Sequence, residues 1–199
     1  MTEGKQDVTF RDVSVHQRRR LKQFFAARIP AVDRKFVNDD HEADYTRLRR
    51  YLRENGTFAD TWSEWVEALD QEGERVGALY LSCNATNAGS TEWLQHPRID
   101  PQWLAQYVTD TALLEDIAVA EGNEGQGVGA ALFRHSVSLA RKHGSKRLLA
   151  GAVSEASRDF LISQGMEAGG WGAPLMPEKN GGVGMRLPGP FAAWCWMEL

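Results

Sequence analysis

Residues Leu113–Phe133 read "LLEDIAVAEGNEGQGVGAALF". An apolar run carrying two adjacent acids, Glu115 and Asp116, leads into a glycine cluster, and the cluster leads into an apolar pattern of helical spacing. Gly125, Gly127 and Gly129 occupy alternate positions where the helix must start. Glycine there costs helix propensity and chain entropy, so bare backbone must serve another purpose. A strand, a glycine turn and a helix N-terminus together make an anion site. The first helical N–H groups have no intrahelical partner, and the helix dipole is positive at that end. With no Cβ in the way, phosphate oxygens can approach those groups. The stretch is therefore expected to hold a phosphate or pyrophosphate.

Three kinds of phosphate site compete for it. A Walker P-loop needs Lys and then Ser or Thr after its last glycine, whereas Gly127 is followed by Val128 and Gly129. A dinucleotide fingerprint, GxGxxG/A, is matched literally by Gly125-Gln-Gly127-Val-Gly-Ala130. That fold would need a doubly wound sheet continuing well past the motif, and few strand–helix units follow. The third kind emerges from the elements on either side.

Upstream, Val8–Ser14 reads as a short strand, and Leu21, Phe24, Phe25 and Ile29 have helical spacing up to Pro30. Tyr45, Leu48, Tyr51 and Leu52 repeat that spacing, stopped by Asn55-Gly56. Arg18–Arg20 and Arg47, Arg49 and Arg50 read as solvated helix faces balanced by nearby acids. Trp62–Leu69 and Arg75–Cys83 form a hairpin around the turn Gln71–Gly73. Residues Ala85–Thr111 are polar and Gly/Pro-marked, with a short helix starting at Pro101 behind Asp100. Leu113–Ala120 is a strand. Val128–His143 is a helix with Val128, Leu132, His135 and Leu139 on one face, ended by Gly144, and His135 reads as a half-buried packing residue. Downstream follow a strand at Ser145–Val153 and a helix capped by Ser154 with Ala156, Phe160 and Leu161 inward. Gly165 closes that helix, and after one more strand and a Gly/Pro-rich loop comes a last strand at Phe191–Glu198.

The composition bounds the rest. With 199 residues, 42% hydrophobic and 25% charged, the chain is expected as one globular domain. The net charge of −4 argues against a nucleic-acid partner. No apolar run approaches membrane-spanning length, the N-terminus lacks a signal-peptide core, and a cytoplasmic location is expected. Cys83 and Cys195 fall in no metal-ligand spacing, and the five histidines form no HxxxH or HExxH pattern, so no metal site is expected.

From Leu113 onward the chain resembles the GCN5-related N-acetyltransferase (GNAT) superfamily. The family's acetyl-CoA motif, Gln/Arg-x-x-Gly-x-Gly/Ala between a strand and a helix, is echoed by "EDIAVAEGNEGQGVGAALF", and the elements after it follow the family order. The resemblance implies an α/β (α+β) GNAT fold, a central, mixed, mostly antiparallel sheet with helices on both faces. It implies a single domain over 1–199: a substrate-side half at 1–84, an insertion at 85–111 and an acetyl-CoA half at 112–199. The backbone of Ile117, Ala118 and Val119 would pair with the pantetheine arm. Gly125, Gln126, Gly127, Val128, Gly129 and Ala130 would hold the pyrophosphate, and Ser154 stands where many members have a cofactor-contacting Asn. Two residues depart from the pattern. Glu124 replaces the leading Gln/Arg, and Leu161 replaces a Tyr that often serves as general acid.

The implied chemistry is transfer of an acetyl group from acetyl-CoA to an amine. An alkyl ammonium must lose a proton before it attacks, and a carboxylate, directly or through water, can take it. Glu115 and Asp116 are adjacent in the strand and point to opposite faces, so at most one faces the substrate. Glu115 has the parity at which family members place a strand acid, which makes it the first candidate base and Asp116 the second. With Leu161 in the Tyr position, water or Tyr107 is left to protonate the thiolate. Trp62, Trp65, Trp93 and Trp103 line an aromatic pocket or fill a core. The 85–111 segment is expected as a lid or dimer arm, with too few apolar residues for a core of its own, and a homodimer stays open. The acceptor is an amine-bearing small molecule or peptide. The alternative is a catalytically weak acyl-CoA-binding domain.

Overall fold

The computed structural model describes residues 7–29, 42–175 and 192–199. The Gly/Pro-rich loop around Gly181–Gly184 lies outside the described residues, as do Pro30 and Phe191. The strands form a seven-stranded sheet in the order β1-β2-β3-β4-β5-β7-β6. They are β1 (Thr9–Asp12), β2 (Ser63–Leu69), β3 (Arg75–Ser82), β4 (Thr111–Val119), β5 (Arg147–Ala152), β6 (Glu167–Ala168) and β7 (Ala193–Glu198). Between them lie α1 (Arg18–Arg28), α2 (Glu42–Glu54), α3 (Ala85–Ala88), α4 (Thr91–Leu94), α5 (Pro101–Asp110), α6 (Val128–Lys142) and α7 (Glu155–Ser163). This is the mixed architecture the sequence pointed to. The β1–β2, β5–β7 and β6–β7 pairs are antiparallel. The chain divides into two compact units, Met1–Asp40 with Ser63–Leu81 and Leu114–Leu139, and His41–Trp62 with Ser82–Leu113 and Ala140–Leu199.

The first unit carries the quoted stretch. Its apolar centre joins Leu21 and Phe25 of α1 to Val13, Trp65, Ala78, Tyr80 and Ala118, and the rings of Trp65 and Tyr80 stack at 3.8 Å. Trp65 is therefore core. The opposite face of β3 belongs to α6. A Cβ on Gly77 would lie 2.8 Å from Leu132 Cδ1 and 3.0 Å from both Val128 Cγ1 and the Ala118 carbonyl. Glycine is what lets α6 seat so closely. The unit thus has a helix on each face, which the alternation of strand side chains requires. His135 is half-buried and stacks on Phe10 at 4.1 Å, as a packing residue would.

The second unit has a larger core: Tyr45, Leu48 and Leu52 of α2, Leu149 of β5, and Trp194 and Trp196 of β7. Much of the remainder comes from residues 85–111, with Ala85, Ala88, Trp93, Ile99, Leu104, Ala105, Tyr107 and Val108 in the same cluster. The sequence showed one helix in this segment, but there are three. Short polar turns separate α3 and α4, so no long apolar periodicity announces them. Asp100 caps α5 by accepting from the N–H groups of Gln102 and Trp103, both at 2.9 Å. Trp93, Trp103 and Tyr107 pack together, with Trp93 and Tyr107 buried. The Tyr107 hydroxyl accepts from Asn84 Nδ2 at 2.6 Å, and burial pushes its pKa up while Asn84 pulls it down. Trp62 stacks on His143 at 4.0 Å. In α7, Leu161 is buried and Phe160 half-buried, but Ala156 is exposed, contrary to its expected inward position. A nine-residue helix offers a narrow apolar stripe, and Ala156 falls at its margin. Arg47 pairs with Asp44 and Arg49 with Glu42, so these two arginines of α2 are balanced by acids. Cys83 and Cys195 are buried and neither is in a disulfide.

Candidate functional site

The glycine loop begins where β4 ends. The Ala120 N–H donates to the Val76 carbonyl at 2.8 Å, the Asn123 N–H then closes onto the Ala120 carbonyl at 3.1 Å, and the chain turns. Gly122, Gly125 and Gly127 have φ of 84°, 75° and 82°, the left-handed region that side chains disfavour. At Gly125 a Cβ would meet nothing within 4 Å, so conformation and not crowding demands glycine there. Gly129 lies inside α6, where backbone conformation does not require glycine. The Gly127 carbonyl accepts the first helical bond, from the Ala131 N–H at 3.0 Å. The N–H groups of Val128, Gly129 and Ala130 thus stand in the first turn of a 15-residue helix, ahead of any intrahelical acceptor.

Two polar side chains of the loop, Glu124 and Gln126, bind the backbone of Gly122. Gln126 Nε2 donates to its carbonyl at 2.9 Å, and its N–H donates to Glu124 Oε2 at 2.7 Å. Glu124 therefore turns back on its own turn, and its other oxygen accepts from Arg28 Nη2 at 2.5 Å. The N–H of Glu124 itself holds this carboxyl below its ordinary range, and against the opposing effect of desolvation the Gly122 N–H and the Arg28 guanidinium add to it. Arg28 also donates from Nε to the Val119 carbonyl at 3.1 Å and from Nη1 to Glu121 at 3.2 Å. Sequence reasoning missed Arg28. It lies 96 residues before Glu124, and no local pattern links an arginine in the last turn of one helix to a distant loop.

On β4 the alternation separates the two acids. Asp116 shares the face of Ala118, which packs into the core beside α1. Glu115 shares the face of Ile117 and Val119, and all three are half-buried. Asp116 is 9% exposed. Burial first, and the neighbouring Glu115 second, push its carboxyl up to about 7. One strand thus carries an accessible carboxylate and a buried carboxyl that holds its proton to near neutrality.

Of the positions singled out in the sequence, Glu115 through Val119 and Gly125 through Ala130 fall in one contiguous piece of the first unit. Ser154 lies in the second unit. Its hydroxyl caps α7, accepting from the Ser157 N–H at 3.1 Å. Leu161 is 3% exposed and packs as an apolar residue. Among the described residues no group of three or more His, Cys, Asp or Glu could hold a metal ion, and no helix is long and apolar enough to cross a membrane.

A model of the acetyltransferase (GNAT) family matches residues 34–166. Curated proteins give no sequence match. Among solved structures, the chain is similar to an IAA acetyltransferase from Bacillus cereus (17% identity, 97% of this chain and 100% of that one, TM-score 0.53). It is similar to a GNAT family acetyltransferase from Elizabethkingia anophelis with acetyl-CoA bound (14%, 96% and 98%, TM-score 0.52). A third is a Bacillus subtilis acetyltransferase in complex with CoA (14%, 97% and 99%, TM-score 0.54). At these identities the likeness is one of fold.

Proposed function

The chain belongs to the acetyltransferase (GNAT) family, and from that premise we propose that it is an N-acetyltransferase. In this reading it carries an acetyl group from acetyl-CoA to the amine of a small molecule or peptide. The observation that carries the proposal is the loop: two left-handed glycines, Gly125 and Gly127, deliver the chain into α6 directly after a strand bearing Glu115. The free N–H groups of Val128, Gly129 and Ala130 suit the pyrophosphate, which needs donors and a positive helix end. Gly129 fits the same reading, since a helical Cβ tilts toward the helix N-terminus, the end at which those donors lie. Backbone polar groups of Ile117–Val119 suit the amides of the pantetheine arm, and a strand N–H aimed at the thioester oxygen would stabilise the charge that develops there. Acetyl-CoA supplies the acyl group, and the protein supplies position and proton transfer.

Glu115 is the proposed base. It stands on the less buried face of β4, where an ammonium or a bridging water can reach it. Asp116, turned to the core side and 9% exposed, is the weaker candidate because an acceptor cannot reach it as readily. The fate of the thiolate proton falls to solvent in this reading, because Leu161 is apolar and the Tyr107 hydroxyl is buried against Asn84. The cytoplasm is the proposed compartment, and the form in solution, monomer or homodimer, follows from a mass measurement.

The test is CoA release from acetyl-CoA across a panel of amines. Glu115→Gln should lower kcat by roughly 10²–10⁴ with little change in acetyl-CoA affinity, and the acid limb of the pH profile should change with it. Asp116→Asn is the control. If it abolishes turnover while Glu115→Gln does not, the two roles exchange. If acetyl-CoA binds and no amine in the panel releases CoA, the reading as a catalytically weak acyl-CoA-binding domain prevails, a reading that the absent Tyr at Leu161 favours.

A further inference from the structure

We propose that Arg28 is a positioning residue for the cofactor loop: it offsets the charge of Glu124 and pins the turn that carries Gly125 and Gly127, so that a pyrophosphate does not meet the Glu124 carboxylate uncompensated. The inference rests on the reading of that loop as the pyrophosphate site.

Three contacts from one guanidinium support it. Nε takes the carbonyl of Val119, the last residue of β4, at 3.1 Å; Nη1 takes Glu121 at 3.2 Å; Nη2 takes Glu124 at 2.5 Å. These acceptors are the start and the two acids of a single turn, so the planar fork sets where the strand ends and where the loop goes. The Arg28 side chain is 25% exposed and Glu124 55%, so Arg28 is the more sheltered of the two, while Glu121, at 91%, adds little. The value of the pair is not chiefly stability, since exposed ion pairs contribute little of that. It is the charge next to the ligand. Glu124 is held ionised by the loop's own N–H groups, so it cannot escape a nearby phosphate by taking up a proton. A carboxylate within several ångströms of a pyrophosphate repels it, and only an opposite charge on the same carboxylate offsets that repulsion. Arg28 supplies that charge from α1. With its fork already engaged by three protein acceptors, it acts through Glu124 and the turn and not as the main phosphate ligand.

The experiment is calorimetric titration with acetyl-CoA at low and at physiological ionic strength. The proteins are the full chain and its Arg28→Gln, Arg28→Lys, Glu124→Gln, Arg28→Gln/Glu124→Gln and Gly127→Asp variants. Kinetics with acetyl-pantetheine, which lacks the pyrophosphate, run in parallel. Arg28→Gln should weaken acetyl-CoA binding about tenfold, equivalent to about 1.4 kcal/mol, and more at low salt. Adding Glu124→Gln should restore most of that loss, and Arg28→Lys should keep most of the affinity. Glu124→Gln alone leaves the guanidinium opposed only by the exposed Glu121 and should bind acetyl-CoA more tightly than the native chain, which keeps the proposal testable even if Arg28→Gln folds poorly. The effect on acetyl-pantetheine should be much the smaller. A double variant as weak as Arg28→Gln, an equal loss for acetyl-pantetheine, or unchanged affinity in Glu124→Gln would overturn the role of Arg28. Gly127→Asp separates the two levels. If it abolishes binding while Arg28→Gln leaves the affinity unchanged, only the Arg28 proposal fails; if it binds normally, the loop is not the pyrophosphate site and both fail.

Discussion

The environment of Asp116 costs the fold in its ionised state. Its carboxyl is moved from an ordinary 3.8 to about 7, by burial and then by Glu115. The unfolded chain gives up that proton near pH 4, whereas the native chain keeps it to about 7. Between those values the native state binds the extra proton, so this group's contribution to stability falls as pH rises from about 4 to about 7, then levels off. Asp116→Asn removes the ionisation and keeps the shape. The variant should therefore gain on the native chain between pH 4 and pH 8, by a few kcal/mol at most, on the order that such a displacement implies. Denaturant unfolding at both pH values reads the gain, and an equal difference at the two would show that Asp116 titrates normally. A stabilised Asp116→Asn with near-native turnover would also mark Asp116 as a buried group and not the base.

At the level of elements, close backbone approaches decide which helices can dock. Gly89 follows α3 and faces the start of α2: a Cβ there would lie 2.1 Å from the Asp44 carbonyl oxygen and 2.9 Å from that of Ala85. Both are backbone atoms and cannot rotate aside. Arg47 strengthens the junction, donating from Nε to the Gly89 carbonyl at 3.1 Å while its fork pairs with Asp44. Gly89→Ala must therefore push α2 away from the 85–111 segment, at a cost of roughly 1–3 kcal/mol or more. A drop in the denaturant midpoint with an unchanged slope would register it; native stability would mean that the two helices have room to part. The same junction bears on residues 85–111 as a lid. Trp93, Leu104, Tyr107 and Val108 help fill the second unit's core, so removing the segment would strip that core as well as uncover a surface.

For the molecule as a whole, ligand binding should appear as stability. A ligand that binds only the folded chain adds RT ln(1 + [L]/Kd), about 2.7 kcal/mol at a hundredfold excess over Kd. For a chain of this size that is roughly 5–11 °C in Tm. Acetyl-CoA should produce such a rise in a thermal melt, and acetyl-pantetheine a smaller one at equal concentration, since it lacks the groups the loop is proposed to hold. Equal shifts would place the affinity elsewhere than in the glycine loop.

Local chemistry is what the sequence by itself determined. Glycine spacing, the Asp100-Pro101 cap, the Gln71–Gly73 turn and the helical stripe of α6 are near-neighbour effects, and each stands where the sequence put it. The left-handed loop glycines and the opposite faces of Glu115 and Asp116 follow the same logic, because φ preference and strand alternation depend on a few adjacent residues. Tertiary structure decided what depends on residues far apart in the chain. The sequence showed that Glu124 was an acid in an awkward place, but only folding brought Arg28, 96 residues away, to its carboxylate. Sequence parity placed Asp116 on a face of β4, but only packing beside Ala118 desolvated it and raised its pKa. Residues 85–111 showed too few apolar residues for a core of their own, and what they add to a shared core was hidden, because their apolar side chains are scattered over three short helices and converge only in the folded second unit. Burial and charge pairing are sums over space, and a linear sequence shows them only where space and sequence coincide.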